Sequence, residues 1–229
     1  LDRESLTEYK HFRIEAEQKG FKHFLEIFDP SRPDAVDPAK LPGFINDAIV
    51  RTLGGVTSAG RPLFLKMVYH GPQAMEELVH YDPHLVVGIL GGSSGTTRDA
   101  FQLIHDAQKH GAKLALFGRK INNAENQLAF IEFLRLIVDG VIGPEEAVRA
   151  YHAVLERLGL TPHRALDVDL QLTSGTQSYG GTPRRPAAAS GASATTPAAT
   201  IAGPVNLAKM SSAERLAYHR ERINRLFGN

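Results

Sequence analysis

Hydrophobic and polar positions along the chain follow two alternating periods, which together predict a series of strands and helices. Short apolar runs rich in β-branched and aromatic residues predict strands at 22–28, 63–69, 85–90 and 114–117. Helical periodicity predicts helices at about 5–20, 44–53, 72–81, 97–109, 124–139 and 144–158. Strands that alternate with helices of about 10 to 15 residues are typical of βα units, so the predicted fold class is α/β with a parallel sheet.

The periodic pattern stops near residue 163, where the composition changes. Residues 164–205 are dominated by Ala, Gly, Ser, Thr and Pro, and such a segment buries too little apolar surface to offset its chain entropy. We therefore expect one globular unit at 1–163, followed by a disordered linker at 164–205. A capping-box pattern that starts at Ser211 predicts an amphipathic helix within 206–229, which we interpret as a docking or dimerising helix.

The charge balance and the amino-acid usage exclude several classes of protein. The 26 Lys and Arg residues against 25 Asp and Glu residues give a formal net charge of +1, so no strong field favours nucleic acid or an anionic membrane as a partner. The chain of 229 residues contains no cysteine, which rules out disulfides and thiolate metal ligands. No apolar run approaches the roughly 18 residues needed to cross a bilayer, and no signal-peptide pattern is present. We expect a cytoplasmic protein, and the missing initiator Met suggests that Leu1 is not the natural start.

Lys66 is the least expected residue in the predicted sheet, because it lies in the middle of the apolar run 63–69. Side chains alternate along a strand, so Lys66 shares a face with Phe64 and Val68. Burying an unpaired ammonium group is costly, and such groups find a partner or lose their charge. A lysine at a strand end that reaches solvent would explain the residue without any function. The functional interpretation is a nucleophilic amine that forms a Schiff base with a carbonyl substrate.

Glu26 occupies the equivalent place in the preceding predicted strand, between Leu25 and Ile27. Its carboxylate could pair with Lys66 as a buried ion pair, or it could carry a proton during carbon–carbon bond cleavage. Asp29, just beyond that strand, has the sequence context of a turn residue, and His70, before Gly-Pro, that of a loop residue.

Two glycine-containing loops follow the last two predicted strands. The first is Gly91-Gly92-Ser93-Ser-Gly95, which leads into a helix, and the second begins with Gly118-Arg119. Glycines let backbone N–H groups approach an anion, a helix N-terminus favours negative charge, and Arg can make bidentate contacts with a phosphate. A plain tight turn is the alternative. Consecutive glycine loops after the final strands match the phosphate site of (β/α)₈ barrels.

In their order and spacing, these residues resemble class I, Schiff-base aldolases. Lys66 within Phe-Leu-Lys-Met-Val-Tyr, then Gly91-Gly92, then Ala-Leu-Phe-Gly118-Arg119 resemble the sixth to eighth strands of the fructose-bisphosphate, tagatose-bisphosphate and deoxyribose-phosphate aldolases. The resemblance covers roughly residues 21–123. It implies the last four βα units of a TIM barrel, with Lys66 as the Schiff-base lysine.

The resemblance also implies roles for the other residues. Glu26 would match the acidic residue of the fifth strand, and the substrate phosphate would be held by Gly91, Gly92, Ser93, Gly118 and Arg119. The substrate would be a phosphorylated sugar or ketose. No metal and no other cofactor would be needed, because a protonated imine serves as the electron sink.

Two other functions stay open at this point. A non-catalytic phosphate-ligand binder or interaction protein could keep the barrel and its loops without turnover. An isomerase or synthase could use the same phosphate site without an imine. An open half-barrel also exposes strand edges, which are a liability unless they are covered. The isolated chain would pair with its missing half, dimerise or be poorly stable, and among these we expect a homo-oligomer.

Overall fold

The computed structural model of the protein describes residues 2–32, 35–92, 95–173, 218 and 221. Four strands form one sheet: β1 (Leu25–Glu26), β2 (Leu65–Met67), β3 (Val87–Gly91) and β4 (Leu114–Phe117). All neighbouring strands are parallel, and their order across the sheet is the order along the chain. The predicted α/β class and parallel sheet are therefore confirmed.

The helices of the described residues fill the intervals between strands and then continue beyond the sheet. They are α1 (Asp2–Gln18), α2 (Leu41–Leu53), α3 (Pro72–Tyr81), α4 (Thr97–Lys109), α5 (Arg119–Asn122), α6 (Gln127–Val138), α7 (Pro144–Arg157) and α8 (Leu166–Asp169). Three of them, α2, α3 and α4, connect adjacent parallel strands. Because such crossovers are right-handed, the three helices lie on one face of the sheet.

The hydrophobic core lies between the sheet and this helical layer. Leu65, Met67 and Tyr69 point from β2 and its continuation into the core, as do Val87 and Ile89 from β3. Helices α6 and α7 extend the layer by packing on α4. Completely burying one such side chain contributes roughly 1.5–3 kcal/mol to stability. The largest side chains that are fully buried are Tyr151, Phe101, Phe130, Ile49, Leu65 and Leu78.

The opposite face of the sheet carries a different set of side chains. Phe24, Phe28 and Leu114 are exposed there, and the ring of Phe24 stacks on that of Phe64 with a centroid separation of 4.8 Å. Not all of this face is open, since Val68 and Leu90 alternate onto it and are buried. The polar side chains of β1 and β2, Glu26 and Lys66, keep part of their surface exposed there.

Most element boundaries agree with the sequence predictions, and the differences have local causes. Helices α3 and α4 and strand β4 have the predicted limits, since proline opens α3 and a capping box opens α4. Strands β1 and β2 are shorter than predicted. Their pairing nevertheless continues as single backbone hydrogen bonds, such as Leu63 N to His23 O at 2.8 Å and Ile27 N to Lys66 O at 2.9 Å.

The described fold continues for ten residues beyond the predicted boundary at 163. Helix α8 forms inside the segment predicted as linker, because Asp169 and Thr173 make hydrogen bonds with α4 and with the residues that precede it. The remainder of that segment, 174–205, lies outside the described residues. In the predicted C-terminal helix at 206–229, the structure describes Tyr218 and Glu221, both helical.

In the ranges that the structure describes, no helix has both the length and the apolar character needed to span a bilayer.

Candidate functional site

Lys66 and Glu26 form an ion pair on the open face of the sheet. The two residues are register partners in the parallel pair β1–β2, and Lys66 Nζ lies 2.7 Å from Glu26 Oε1. The contact lacks the alignment of a good hydrogen bond, since Oε1 is buried without a hydrogen-bond partner. Both side chains retain some solvent contact, with 20% and 25% of their surface exposed. The pair is thus close, charged and accessible to a small molecule.

The neighbour of Lys66 on β3 is a glycine, Gly88, at the register position opposite it. A Cβ atom at Gly88 would lie 2.7 Å from the carbonyl oxygen of Leu65 and 2.9 Å from Leu116 Cδ1. Leu114 and Leu116 of β4 therefore occupy the space beside Gly88. They give Lys66 an apolar neighbour on that side. The row across the sheet at this level is Glu26, Lys66, Gly88 and Leu114.

A second pair of polar side chains lies beyond the carboxyl ends of the same two strands. His70 Nε2 is 2.8 Å from Asp29 Oδ1, and the His70 side chain is only 7% exposed. The turn and loop contexts of these two residues do not predict this contact, because 41 residues separate them along the chain. Since parallel strands end at the same edge, the two pairs share one end of the sheet.

The first predicted phosphate loop begins where β3 ends. Gly91 has a packing reason for lacking a side chain, because a Cβ there would lie 1.9 Å from Cδ1 of the Phe117 ring. Gly92 is buried, and Ser93 lies outside the described residues. The second predicted loop follows β4, where Gly118 and Arg119 are both exposed and nothing lies within 4 Å of a Cβ built on Gly118.

At the amino terminus of α4, three backbone N–H groups already donate to side-chain oxygens of the protein. Thr96 caps the helix, and its hydroxyl accepts from Asp99 N at 3.0 Å while Asp99 Oδ2 accepts from Thr96 N at 2.8 Å. Thr97 N donates to Asp169 Oδ1 at 2.7 Å. A phosphate bound by this loop would therefore have to use groups that precede Thr96.

The segment after α7 closes over this helix terminus. Thr173 N donates to Asp99 Oδ1 at 2.8 Å, and the Thr173 hydroxyl also contacts Asp99. His152 Nε2 lies 2.9 Å from Asp169 Oδ2. Burial alone would raise the pKa of Asp169, yet the hydrogen bonds from Thr97 and His152 together hold it below its ordinary value. We name this group of Thr96, Thr97, Asp99, His152, Asp169 and Thr173 the α4 cap.

Lys120, in α5 directly after β4, is a buried lysine that the sequence patterns did not single out. Its side chain follows β4, is 9% exposed, and donates from Nζ to the carbonyl oxygen of Gly95 at 2.9 Å. Burial lowers the pKa of Lys120 to about 8, and the positive charge of Arg164 acts in the same direction. The carboxylates of Asp99, Asp169 and Glu125 oppose that change. Lys120 thus ties the first glycine loop to the end of β4.

Within the described residues, no group of three or more His, Asp or Glu side chains is placed to hold a metal ion. A groove of about 560 Å³ lies along α7 and is lined by Arg149, His152 and Leu166 among others. It belongs to the helical side of the molecule, whereas Lys66 projects from the opposite face of the sheet.

Comparison with known proteins adds no family assignment. No family model matches the chain, and a comparison with curated proteins finds no significant match.

The sequence-predicted site residues thus fall into two groups. Lys66 and Glu26 are in direct contact on neighbouring strands. The described phosphate-loop residues, Gly91, Gly92, Gly118 and Arg119, lie at the ends of β3 and β4, and Gly91 and Phe117 are register partners. Lys120 was missed in sequence, whereas Asp29 and His70 were interpreted as a turn residue and a loop residue. The apolar run at 114–117 that leads to Lys120, and the strand ends before Asp29 and His70, are the local signals that could have marked them.

Proposed function

We propose that the chain is a class I aldolase-like lyase that acts on a phosphorylated sugar or ketose through a Schiff base on Lys66. The observation that carries the proposal is the contact of 2.7 Å between Lys66 Nζ and Glu26 Oε1 on the reachable face of the sheet. An amine that attacks a carbonyl must first lose a proton, and a carboxylate at this distance can accept it.

The strand order supports a finer proposal about the fold. In a (β/α)₈ barrel, each strand is the neighbour of the next one along the chain, whereas doubly wound sheets reverse their order at one point. The order β1-β2-β3-β4 has no reversal. We infer the last four βα units of an aldolase-type TIM barrel, within which Lys66 points toward the barrel axis.

The reaction follows from the positions of these groups. Glu26 accepts a proton from the Lys66 ammonium, the free Nζ adds to the substrate carbonyl carbon, and loss of water gives a protonated imine. The imine accepts the electron pair when the carbon–carbon bond breaks, which leaves an enamine on Lys66 and releases an aldehyde. Protonation of the enamine carbon and hydrolysis return the free lysine.

The substrate phosphate is assigned to the glycine loops after β3 and β4. Groups from Gly91, Gly92, Ser93 and Gly118 would approach its oxygens, and the exposed Arg119 would complete the contact. Because the α4 cap already uses the donors of Thr96, Thr97 and Asp99, the phosphate would bind on the strand side of that cap. We expect the protein to act in the cytoplasm as a homo-oligomer, in which the exposed strand edges are paired or covered.

Imine trapping tests the proposal. Sodium borohydride is added to the protein with dihydroxyacetone phosphate, beside a panel of ketose phosphates, and the intact mass is measured. The unmodified chain should gain the mass of one reduced adduct, and Lys66→Met should lose at least about 99% of it because the attacking amine is gone. Lys113→Met, which removes an exposed lysine next to β4, is the matched control and should keep the adduct.

The same experiment has outcomes that would reject the proposal. Absence of an adduct in the unmodified chain, with phosphate ligands still bound in a calorimetric titration, would favour the non-catalytic binder. An adduct that persists in Lys66→Met would show that another amine reacts.

A further inference from the structure

The His70–Asp29 pair has a different character from the surface ion pairs of the molecule. The chain offers a direct comparison in His84 and Asp82, where His84 Nδ1 lies 3.3 Å from Asp82 Oδ1 and the His84 side chain is 78% exposed. The contact of His70 with Asp29 is shorter, at 2.8 Å, and His70 is 7% exposed. A histidine that is held by a carboxylate and almost enclosed has a fixed orientation, which proton transfer requires.

His70 also belongs to the same face of the sheet as Lys66. Leu65, Met67 and Tyr69 all point into the core beneath the helices, so the alternate residues Lys66, Val68 and His70 point to the other side. Four residues of extended chain span about 13 Å. His70 therefore lies farther out toward the carboxyl end of the sheet than Lys66, on the continuation of the same strand.

Glu26 does not meet all the proton-transfer needs of the proposed reaction. Its Oε1 atom is already in contact with Lys66 Nζ, at the level of the carbonyl that the amine attacks. Cleavage needs a base at a hydroxyl group farther along the substrate, and the enamine needs an acid at the neighbouring carbon. The groups on β1, β2 and their continuations that can carry a proton at this outer level are Asp29 and His70.

We propose that His70 is the proton carrier of the carbon–carbon step and that Asp29 is its positioning residue. This inference rests on the proposed function. Neutral His70 takes the proton of the substrate hydroxyl while the carbon–carbon bond breaks and its electron pair moves to the imine. Asp29 stabilises the imidazolium that results. The imidazolium then returns the proton to the enamine carbon, so that His70 ends the cycle neutral.

Hydrogen exchange into dihydroxyacetone phosphate tests this role without knowledge of the aldehyde. The protein is incubated with this probe in D₂O, and NMR follows the loss of the proton at the carbon that becomes the enamine carbon. His70→Gln keeps a side chain that can hydrogen-bond Asp29 but cannot carry a proton, so the exchange rate should fall about 10²- to 10⁴-fold. Borohydride trapping on Lys66 should be retained. His84→Gln is the matched control and should change neither measurement.

A second pair of variants separates proton transfer from a loss of packing. In His70→Ala, added imidazole should restore part of the exchange, which no purely structural role for His70 would predict. Asp29→Asn should also slow the exchange while leaving trapping intact, and it probes the same pair if His70→Gln does not fold.

The outcomes distinguish this inference from the proposed function. Exchange that is unchanged in folded His70→Gln, with trapping intact, would overturn the role of His70 and leave the imine on Lys66 standing. Absence of trapping in the unmodified chain would overturn both. Loss of exchange with retained trapping, and rescue by imidazole, is the expected result.

Discussion

The two halves of the sheet end in polar groups that are satisfied in different ways. At β1 and β2, Lys66 pairs with Glu26 and His70 with Asp29, and Lys66 and Glu26 keep part of their surface exposed. Beyond β3 and β4, Lys120 and all residues of the α4 cap except Thr173 are buried, and hydrogen bonds join them from three separate parts of the chain. Buried polar groups that satisfy each other hold a fold together, whereas pairs that are still reachable can change partners with a substrate.

The contrast is sharpest between the two lysines. The pKa of Lys120 is lowered to about 8, which increases its fraction of neutral amine near neutral pH. Its Nζ nevertheless donates to the carbonyl oxygen of Gly95 inside the protein. Lys66 has a carboxylate at 2.7 Å and a partly exposed side chain. Access and a proton acceptor therefore favour Lys66 as the reacting amine, although burial lowers the pKa of Lys120.

The largest effect on stability is expected from Asp99, which holds the α4 cap together. Asp99→Ala would leave the buried N–H group of Thr96 and the N–H group of Thr173 without their carboxylate acceptor. We expect the free energy of unfolding to fall by about 2–4 kcal/mol, measured by urea denaturation. Asp106→Ala, in the same helix but with a more exposed carboxylate, should cost less than about 1 kcal/mol. Equal losses in the two variants would contradict a structural role for the α4 cap.

A smaller effect is expected from the two glycines that precede the predicted phosphate contacts. Gly91→Ala places a Cβ against the Phe117 ring and should lower the free energy of unfolding by about 1–3 kcal/mol. Gly118→Ala meets no atom within 4 Å and should leave stability nearly unchanged. Thermal denaturation of both variants checks this difference. A strong loss of stability in Gly118→Ala would show that the space around Gly118 is filled, in contrast to the open surroundings seen in the structure.

The smallest effect is a pH dependence that comes from Lys120. The folded pKa of about 8 lies below the ordinary value of 10.5, so between these values the unfolded chain binds more protons and stability rises with pH. From pH 8 to 9.5, Lys120 should add about 1–2 kcal/mol to the free energy of unfolding. Lys120→Met should lack this rise, and denaturation curves across that range measure it. A rise of the same size in Lys120→Met would assign it to other groups.

Local patterns in the sequence were sufficient for much of the fold. Proline at the start of α3 and the alternation of strands and helices marked elements whose limits match the structure. The relation of Glu26 to Lys66 was also accessible, because equivalent positions in consecutive parallel strands are neighbours. These features depend on residues that are close in sequence or on one simple rule of topology.

The α4 cap and the His70–Asp29 pair could not be predicted from local patterns, because their members are far apart in the sequence. Asp99 contacts Thr173 across 74 residues, and Asp169 contacts Thr97 across 72 residues. The composition of the segment after 163 predicted a linker, and tertiary hydrogen bonds overrode that local preference for residues up to Thr173. The burial of Lys120 likewise involves a distant contact, since its Nζ donates to the carbonyl oxygen of Gly95, 25 residues earlier in the chain.

The central claim is that the reacting amine belongs to the β1–β2 end of the sheet. Peptide mapping after borohydride reduction with dihydroxyacetone phosphate tests it most directly, because the mass of the adduct is located on one lysine. We predict the adduct on the peptide that contains Lys66, and its loss in Lys66→Met but not in Lys120→Met. An adduct on Lys120 would contradict the account and place the chemistry beside the α4 cap instead.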